Sequence, residues 1–293
     1  MNDENKTNIN WFPGHMQKTK RKLSEMMQLI DFVIELVDSR IPASSKVQDI
    51  DNIIKNKPII LVMAKKDLCD INETAKWVKS YEESGIKVLL CDLNSNSDYL
   101  KLVDAINELA KEINEKRSLK GLKPKNIRGV VIGVPNVGKS TLINRLAKKK
   151  VAGVANTPGF TKSLTWLKAG ETLLLDSPGI LWPKFETDEI ALNLASTSSI
   201  KTEVLPIDDV AVHILKKLEV YYPEKLKESF GIEELSSDYD KNYREIAKAK
   251  MGLADTKDVD YNKVSLYIIN SIKNEQIKGI TFDRYQDGRF NEV

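Results

Sequence analysis

The residues best suited to chemistry stand between positions 133 and 179. Gly133-Val134-Pro135-Asn136-Val137-Gly138-Lys139-Ser140-Thr141 fits the pattern G-x-x-x-x-G-K-[ST]. Such a loop cradles phosphate groups when it follows a strand and opens a helix. Both flanks agree, with the run Arg128–Ile132 before it and Leu142 and Leu146 starting a helical pattern after it. Gly138 lets the backbone curl until its N–H groups face the anion. Lys139 brings positive charge to the outer phosphates, and Ser140 offers a hydroxyl to Mg²⁺. The N-terminal dipole of the helix favours the same anion.

A partner motif, Asp176-Ser177-Pro178-Gly179, follows the apolar run Thr172–Leu175. A carboxylate at that strand end holds Mg²⁺ through a water, and Gly179 lets a backbone N–H approach the terminal phosphate. Alone, D-x-P-G also describes an ordinary turn; beside a phosphate loop it reads as a magnesium loop. Between the two motifs lies Asn156-Thr157-Pro158-Gly159-Phe160-Thr161. Thr157 and Thr161 both have the chemistry to complete the Mg²⁺ shell and sense the terminal phosphate.

These loops need a scaffold. The apolar runs Phe32–Val37, Pro58–Met63, Ile86–Cys91, Arg128–Ile132 and Thr172–Leu175 predict strands apolar on both faces. That pattern suits a parallel sheet covered by helices on both sides. Thr74–Ser84 and Tyr99–Lys116 carry helical spacing between them, so the first part reads as an α/β layered fold. Glu115–Arg128 is basic, contains Gly121 and Pro124, and reads as an exposed connection. Beyond about Pro183 the strand signal fades. Asp208–Leu218 and Tyr261–Ile272 are amphipathic at helical period. The expected division is therefore an α/β domain over 1–185 and an all-α domain over 186–293.

The 293 residues carry 45 basic and 42 acidic side chains, a net +3, so any nucleic-acid function must come from local clustering of charge. Cys69 and Cys91 are the two cysteines, too few for a disulfide framework or a zinc quartet. No apolar run reaches the roughly 18–20 residues that cross a bilayer, and Met1–Asn10 has neither signal-peptide nor transit-peptide character. The expectation is a soluble cytoplasmic monomer with no membrane contact.

The three phosphate-side elements together resemble the translation-factor-related class of P-loop GTPases. That class reads guanine with an N-K-x-D motif that normally follows the others. Here nothing downstream of Gly179 fits, whereas Ala64-Lys65-Lys66-Asp67 follows the run Pro58–Met63 upstream. The order is base motif, phosphate loop, magnesium loop, which is a circularly permuted arrangement. Asn10-Trp11-Phe12-Pro13-Gly14-His15-Met16, Leu36–Pro42, Gly179–Phe185 and Tyr222-Pro223-Glu224 are similar to signatures of the ribosome biogenesis GTPase A family. The resemblance runs from about Asn10 to past Asp260.

The resemblance implies a circularly permuted P-loop GTPase domain with a C-terminal all-α domain. It implies GTP and Mg²⁺ as ligands and the maturing large (50S) ribosomal subunit and its rRNA as partners, with hydrolysis slow until the subunit stimulates it. Asn136 through Thr141, including Val137, would bind the phosphates. Ser140, Thr161 and Asp176 would hold Mg²⁺, with Thr161 the first-switch threonine and Asp176 and Gly179 the second switch. Asp67 would accept hydrogen bonds from guanine N1 and N2 while Lys65 packs along the base. Asn136 resembles the phosphate-loop asparagine that supports a K⁺ ion in related enzymes. Ras-like enzymes orient the attacking water with a glutamine after the magnesium loop. Ile180 stands in that place here, so the catalytic group must come from elsewhere. His15, in a Pro-Gly-His loop, can position a water and titrates near neutrality. Its other readings are a helix cap or an rRNA phosphate contact. His213, inside an amphipathic pattern, reads as a partly buried helix residue.

Two departures matter. Ala64 replaces the asparagine of the base motif, which should remove hydrogen bonds worth about 1–3 kcal/mol together and weaken GTP affinity. Cys91-Asp92-Leu93-Asn94-Ser95 matches poorly the loop that normally backs guanine. Lys18–Lys22, Lys111–Arg128 and Lys148-Lys149-Lys150 cluster cations suited to RNA phosphates, or to a solvated surface. Trp11-Phe12 and Tyr221-Tyr222 read as packing residues rather than stacking platforms. Two rival readings are an RNA-binding scaffold with a degenerate nucleotide site and a P-loop ATPase. Asp67 argues against the ATPase, and Lys139, Ser140, Thr161 and Asp176 argue against a dead site.

Overall fold

The computed structural model describes residues 24–25, 27–47, 54, 57–147, 165–169, 172–176, 185, 187–201, 204–252 and 259–285; the side chains of Thr165 and Asp176 are outside that description. Among the described residues six strands form one sheet, β1 (Phe32–Asp38), β2 (Ile59–Ala64), β3 (Lys87–Leu90), β4 (Ile127–Gly133), β5 (Thr165–Ala169) and β6 (Thr172–Asp176). Their spatial order is β3-β2-β1-β4-β6-β5. All neighbours run parallel except β5, which pairs antiparallel with β6 at the edge. The five expected strands are present within a residue or so at each end. β5 was not expected: its residues Thr165-Trp166-Leu167-Lys168-Ala169 are too few and too mixed to show a period.

β1 is buried along its whole length, which explains its unbroken apolar character, and even Glu35 is enclosed. Its carboxylate accepts a hydrogen bond from Val47 N at 2.7 Å. α1 (Ile71–Glu83) follows β2, α2 (Asn96–Leu119) follows β3, and α3 (Lys139–Leu146) follows β4. Asp70 starts α1 by accepting from the N–H groups of Asn72 and Glu73. Ser95 does the same for α2 through Asp98 N. These side chains satisfy N–H groups that have no partner inside the helix. α2 runs to Leu119, so the first residues of the expected connection are helical and only those from Lys120 onward form it.

The remaining helices are α4 (Asp188–Ser196), α5 (Ile207–Tyr221), α6 (Pro223–Phe230), α7 (Tyr239–Met251) and α8 (Tyr261–Lys273). α5 and α8 coincide with the two amphipathic stretches. Val210, Ile214 and Leu218 of α5 and Val264, Ile268 and Ile272 of α8 are fully buried. α7 gives little apolar signal in the sequence because only Asn242, Tyr243, Ile246 and Ala247 of its thirteen residues are buried. The apolar cluster is continuous from Phe32, Ile34 and Leu36 of β1 to Ile214, Ile268 and Phe282. The last described segment, Ile277–Tyr285, turns back from α8 onto the α/β layer. Phe282 N donates to Arg40 O at 2.7 Å, and Trp77 Nε1 donates to Asp283 O at 3.1 Å. Among the described residues no helix is long and apolar enough to cross a membrane.

Candidate nucleotide-binding site

The sheet's topology sets the geometry of the site. The base motif leaves the C-terminal end of β2, and the phosphate loop leaves the C-terminal end of β4. β1 lies between them, in register Asp38↔Ala64 on one side and Leu36↔Gly133 on the other. Two inter-strand steps separate the motifs by about 10 Å, a span that suits a nucleoside laid across the strand ends. A cleft of about 200 Å³ lies there. Lys65, Asp67, Asn136, Val137, Gly138 and Thr141 line it together.

The phosphate loop is shaped by backbone geometry that its residue types permit. Gly133 has φ +150°, and a Cβ there would stand 2.5 Å from Leu36 O. Gly138 has φ +111° and supplies the left-handed residue from which α3 starts. Any side chain at either position meets strain or a clash, so glycine is required. Asn136 is also left-handed, at φ 59°, and its Nδ2 donates to Ser198 O at 2.7 Å. Lys139 and Ser140 head α3 directly behind Gly138. The Lys139 ammonium is buried and donates to Gly133 O at 3.0 Å and Val134 O at 2.7 Å, which holds the charge over the loop. On the far side of β4, Asp176 ends β6 in register with Val131, so a strand-end acid neighbours the loop. A serine hydroxyl at the helix head and an acid at the adjacent strand end are hard oxygen donors of the kind Mg²⁺ takes.

The base end is built differently. β2 ends at Ala64, which is fully buried, and Lys65 then turns the chain with φ 60°. The Lys65 ammonium lies 3.1 Å from Asp38 Oδ2. Arg40 grips the same carboxylate, with Nε to Oδ1 at 3.0 Å and Nη2 to Oδ2 at 2.8 Å. Burial alone would raise the Asp38 carboxyl, but the Arg40 and Lys65 charges and the Arg40 hydrogen bonds outweigh it and hold it far below the usual range. Burial pushes Lys65 down, with Arg40 adding and Asp38 opposing. Asp67 faces the cleft, and its carboxyl is raised by burial, then by the neighbouring charges of Asp92 and Glu275.

The C-terminal segment braces this loop. Leu68 O accepts from Gly279 N at 2.8 Å and Ile280 N at 3.1 Å, and Asp70 N donates to Thr281 Oγ1 at 3.1 Å. The Tyr222 hydroxyl donates to Asp70 Oδ2 at 3.0 Å and accepts from Thr281 N and Arg284 Nη1, both at 2.9 Å. Tyr222 is thus a packing and hydrogen-bonding residue, as expected of the Tyr221-Tyr222 pair, and Tyr221 stacks under the Arg284 guanidinium at 4.5 Å. A second buried network joins Asp283, which accepts from Ala43 N, Ser44 N and Asn193 Nδ2, to His213, whose Nε2 lies 2.7 Å from Asn193 Oδ1. Burial lowers His213 to about 4, with Lys217 adding to the effect. It is the partly buried helix residue expected.

The structure brings Lys65, Asp67 and residues 136–141 to one place. His15, Thr157, Thr161 and Gly179 lie outside the described residues, as do the Asp176 side chain, Trp11-Phe12, Lys18–Lys22 and Lys148–Lys150. Sequence reasoning gave no role to Asp38, Arg40, Lys273 or Glu275. The first two stood inside a quoted signature, Leu36–Pro42, whereas the last two carry no motif. Of the cations around the connection, Lys125 pairs with Asp31 at 2.7 Å, and Arg128 lies over Trp166 at 5.8 Å.

Residues 128–249 match a family model described as 50S ribosome-binding GTPase. In fold, the chain is similar to GNP-bound YlqF from T. maritima, with a TM-score of 0.63 and 22% identity over 91% of this chain and 98% of that one. In sequence it is 43% identical to ribosome biogenesis GTPase A of Priestia megaterium over 94% of this chain and 96% of the relative. The protein of the same name from Bacillus licheniformis is 42% identical over 280 residues, 95% of this chain and 99% of the relative. At that identity over nearly its whole length, the chain belongs to the ribosome biogenesis GTPase A family.

Proposed function

We propose that this protein is a cytoplasmic, monomeric GTPase that binds the maturing large ribosomal subunit and its rRNA and promotes a late assembly step. The observation that carries the reading is the single cleft that Asp67 shares with the phosphate loop across β1. A base reader and a phosphate cradle set a nucleoside's length apart suit a guanine nucleotide. The names of the relatives supply the ribosomal context.

In this reading GTP and water give GDP and phosphate. The backbone N–H groups of Asn136–Thr141 and the Lys139 ammonium bind the phosphates, and Asp67 accepts from guanine N1 and N2. Ser140, Thr161 and Asp176 would hold Mg²⁺, which when bound neutralises charge on the phosphate oxygens. Asn136 would support a K⁺ ion beside them. Thr161 and Gly179 belong to the two switch loops, which release on hydrolysis and let the protein leave the subunit. His15 positions the attacking water, since Ile180 has no group to do so. Residues 1–185 form the GTPase domain and 186–293 the helical one.

GTP hydrolysis measured with and without purified large ribosomal subunits tests this, with His15→Ala as the comparison. Strong stimulation that the variant loses is the expected result. Stimulation retained in His15→Ala would move catalysis to another residue. Subunit binding with no hydrolysis under either condition would contradict the enzymatic reading and favour an RNA-binding scaffold.

A further inference from the structure

The base end of the cleft has a wall that belongs to neither the base motif nor the phosphate loop. Lys273 and Glu275, at and just beyond the C-terminus of α8, line the same cleft as Asp67, Asn136 and Gly138. This wall is fixed in place. Asn274 N donates to Asn270 O at 2.8 Å, Gln276 N donates to Ser271 O at 3.0 Å, and Glu275 holds the turn with φ 60°. Arg40, whose guanidinium grips Asp38, also donates from Nη1 to Ile272 O at 3.4 Å. The last turn of α8 is therefore tied through Arg40 and Asp38 to Lys65 of the base motif. Three residues beyond Lys278, the chain bonds to Asp70, and Gly279 and Ile280 bond to Leu68, so the base motif is held from both sides.

Guanine presents two donors, N1–H and N2–H₂, and two acceptors, O6 and N7. Asp67 can serve only the donors, because a carboxylate only accepts. Ala64 has no group for the acceptors. Among the polar groups around the cleft, Arg40 is committed to Asp38 and to Ile272 O, Lys65 is paired with Asp38, and the Asn136 amide donates to Ser198 O. Lys273 has no ion pair or hydrogen bond from its ammonium among the described residues, and four carbons of reach. Asn94 is the other side-chain amide lining the cleft, and Thr141, Thr197 and Ser198 add hydroxyls, which are neutral donors of short reach.

We propose that Lys273 is a specificity-determining residue that donates from its ammonium to the O6/N7 edge of guanine, supplying from the helical region the contact that Ala64 lacks. The assignment rests on the reading of the cleft as a guanine-nucleotide site. Adenine shares N7 but carries an N6 amino donor where guanine carries O6, so an ammonium aimed at that edge loses the O6 acceptor and meets a donor in its place. The helical region thereby takes part in reading the base, and a shift of α8 moves Lys273 and, through Arg40 and Asp38, Lys65 together.

The test is the affinity of the full chain for GDP and for ADP, by titration calorimetry, in the wild type, Lys273→Ala, Lys273→Arg and Asn94→Ala. Loss of one hydrogen bond to a charged donor predicts roughly tenfold weaker GDP binding in Lys273→Ala. ADP affinity should stay within about twofold, and Lys273→Arg should recover most of the GDP affinity. Because Lys273 is exposed, its thermal unfolding should match the wild type. GDP binding unchanged in Lys273→Ala overturns the assignment. So does an equal fall for GDP and ADP, which would mark a general charge effect on the phosphates. A GDP-selective loss confined to Asn94→Ala overturns it in favour of that amide. If the wild type itself does not prefer GDP over ADP, the guanine reading fails first, and this outcome is distinct from the others.

Discussion

The two ends of the cleft are made in opposite ways. Nine consecutive residues, Gly133–Thr141, carry the phosphate end on one strand and the helix that follows it. The base end is assembled from Asp38–Arg40, Ala64–Leu68, Asp92–Asn94 and Lys273–Glu275, which lie more than 200 positions apart in the chain. The first is local backbone geometry, fixed by where glycines permit φ > 0 and where a helix begins. The second is tertiary, fixed by a buried ion cluster and by a segment that returns from the helical region. A local device survives changes elsewhere in the molecule, whereas a tertiary one couples its ligand to whatever moves the distant part.

The largest expected effect breaks the local end. With Lys139 on the outer phosphates as proposed, Lys139→Ala removes charge-assisted hydrogen bonds worth about 3 kcal/mol or more together, so nucleotide affinity should fall by at least about a hundredfold. Calorimetry should find the same factor for GDP and ADP, since this end does not read the base. A loss seen for GDP alone would erase the distinction between the ends.

Next comes a break of the tertiary end from outside the cleft. Tyr222→Phe leaves Asp70 Oδ2, Thr281 N and Arg284 without the shared hydroxyl. Urea unfolding should show a loss of about 1–3 kcal/mol. The GDP-to-ADP affinity ratio should drop several-fold while ADP affinity holds. A lower stability with an unchanged ratio would show that the brace supports the fold but not base reading.

A smaller effect sharpens the comparison from within. Ala64→Asn restores an amide at a position in register with Asp38, and GDP should bind roughly fivefold tighter for a contact of about 1 kcal/mol. With Lys273 serving the acceptor edge as proposed, the gain should be greater in a Lys273→Ala background. Equal gains in both backgrounds would show that the two side chains act on different atoms.

The smallest effect concerns the network behind the brace. His213 titrates at about 4 in the fold, below its ordinary 6.5, because burial disfavours the cation. Between those values the unfolded chain binds more protons, so stability is full above about pH 6.5 and falls as pH drops toward 4. From pH 7 to pH 6 the loss should be about 1 kcal/mol or less. Denaturant midpoints across that range should fall in the wild type and fall less in His213→Gln. Parallel curves would remove His213 from the acid response.

The contrast between the ends also explains what could be read from sequence. Residues 133–141 announced the phosphate loop because their function depends on spacing along the chain. The strands β1, β2, β4 and β6 announced themselves because burial on both faces demands unbroken apolar runs. Asp67 was legible through its motif even in permuted order. Lys273 and Glu275 were not, because an exposed lysine and glutamate at a helix end have no periodic or motif signature. Arg40 stood inside a recognisable signature, yet its partners, Asp38 and the Ile272 carbonyl, follow only from the fold. β5 escaped because an edge strand of five residues needs little apolar surface, and α7 because it buries one narrow stripe.

Asp67→Asn is the most direct probe of whether one cleft reads guanine at one end and phosphate at the other. Its amide presents an acceptor and a donor where the carboxylate presents two acceptors, which complements xanthine instead of guanine. GDP, ADP and XDP affinities should be measured for the wild type and this variant. The expected result is a wild type that prefers GDP and a variant whose preference moves to XDP, with ADP weak in both. Unchanged GDP preference in the variant, or equal GDP and ADP binding in the wild type, would contradict it.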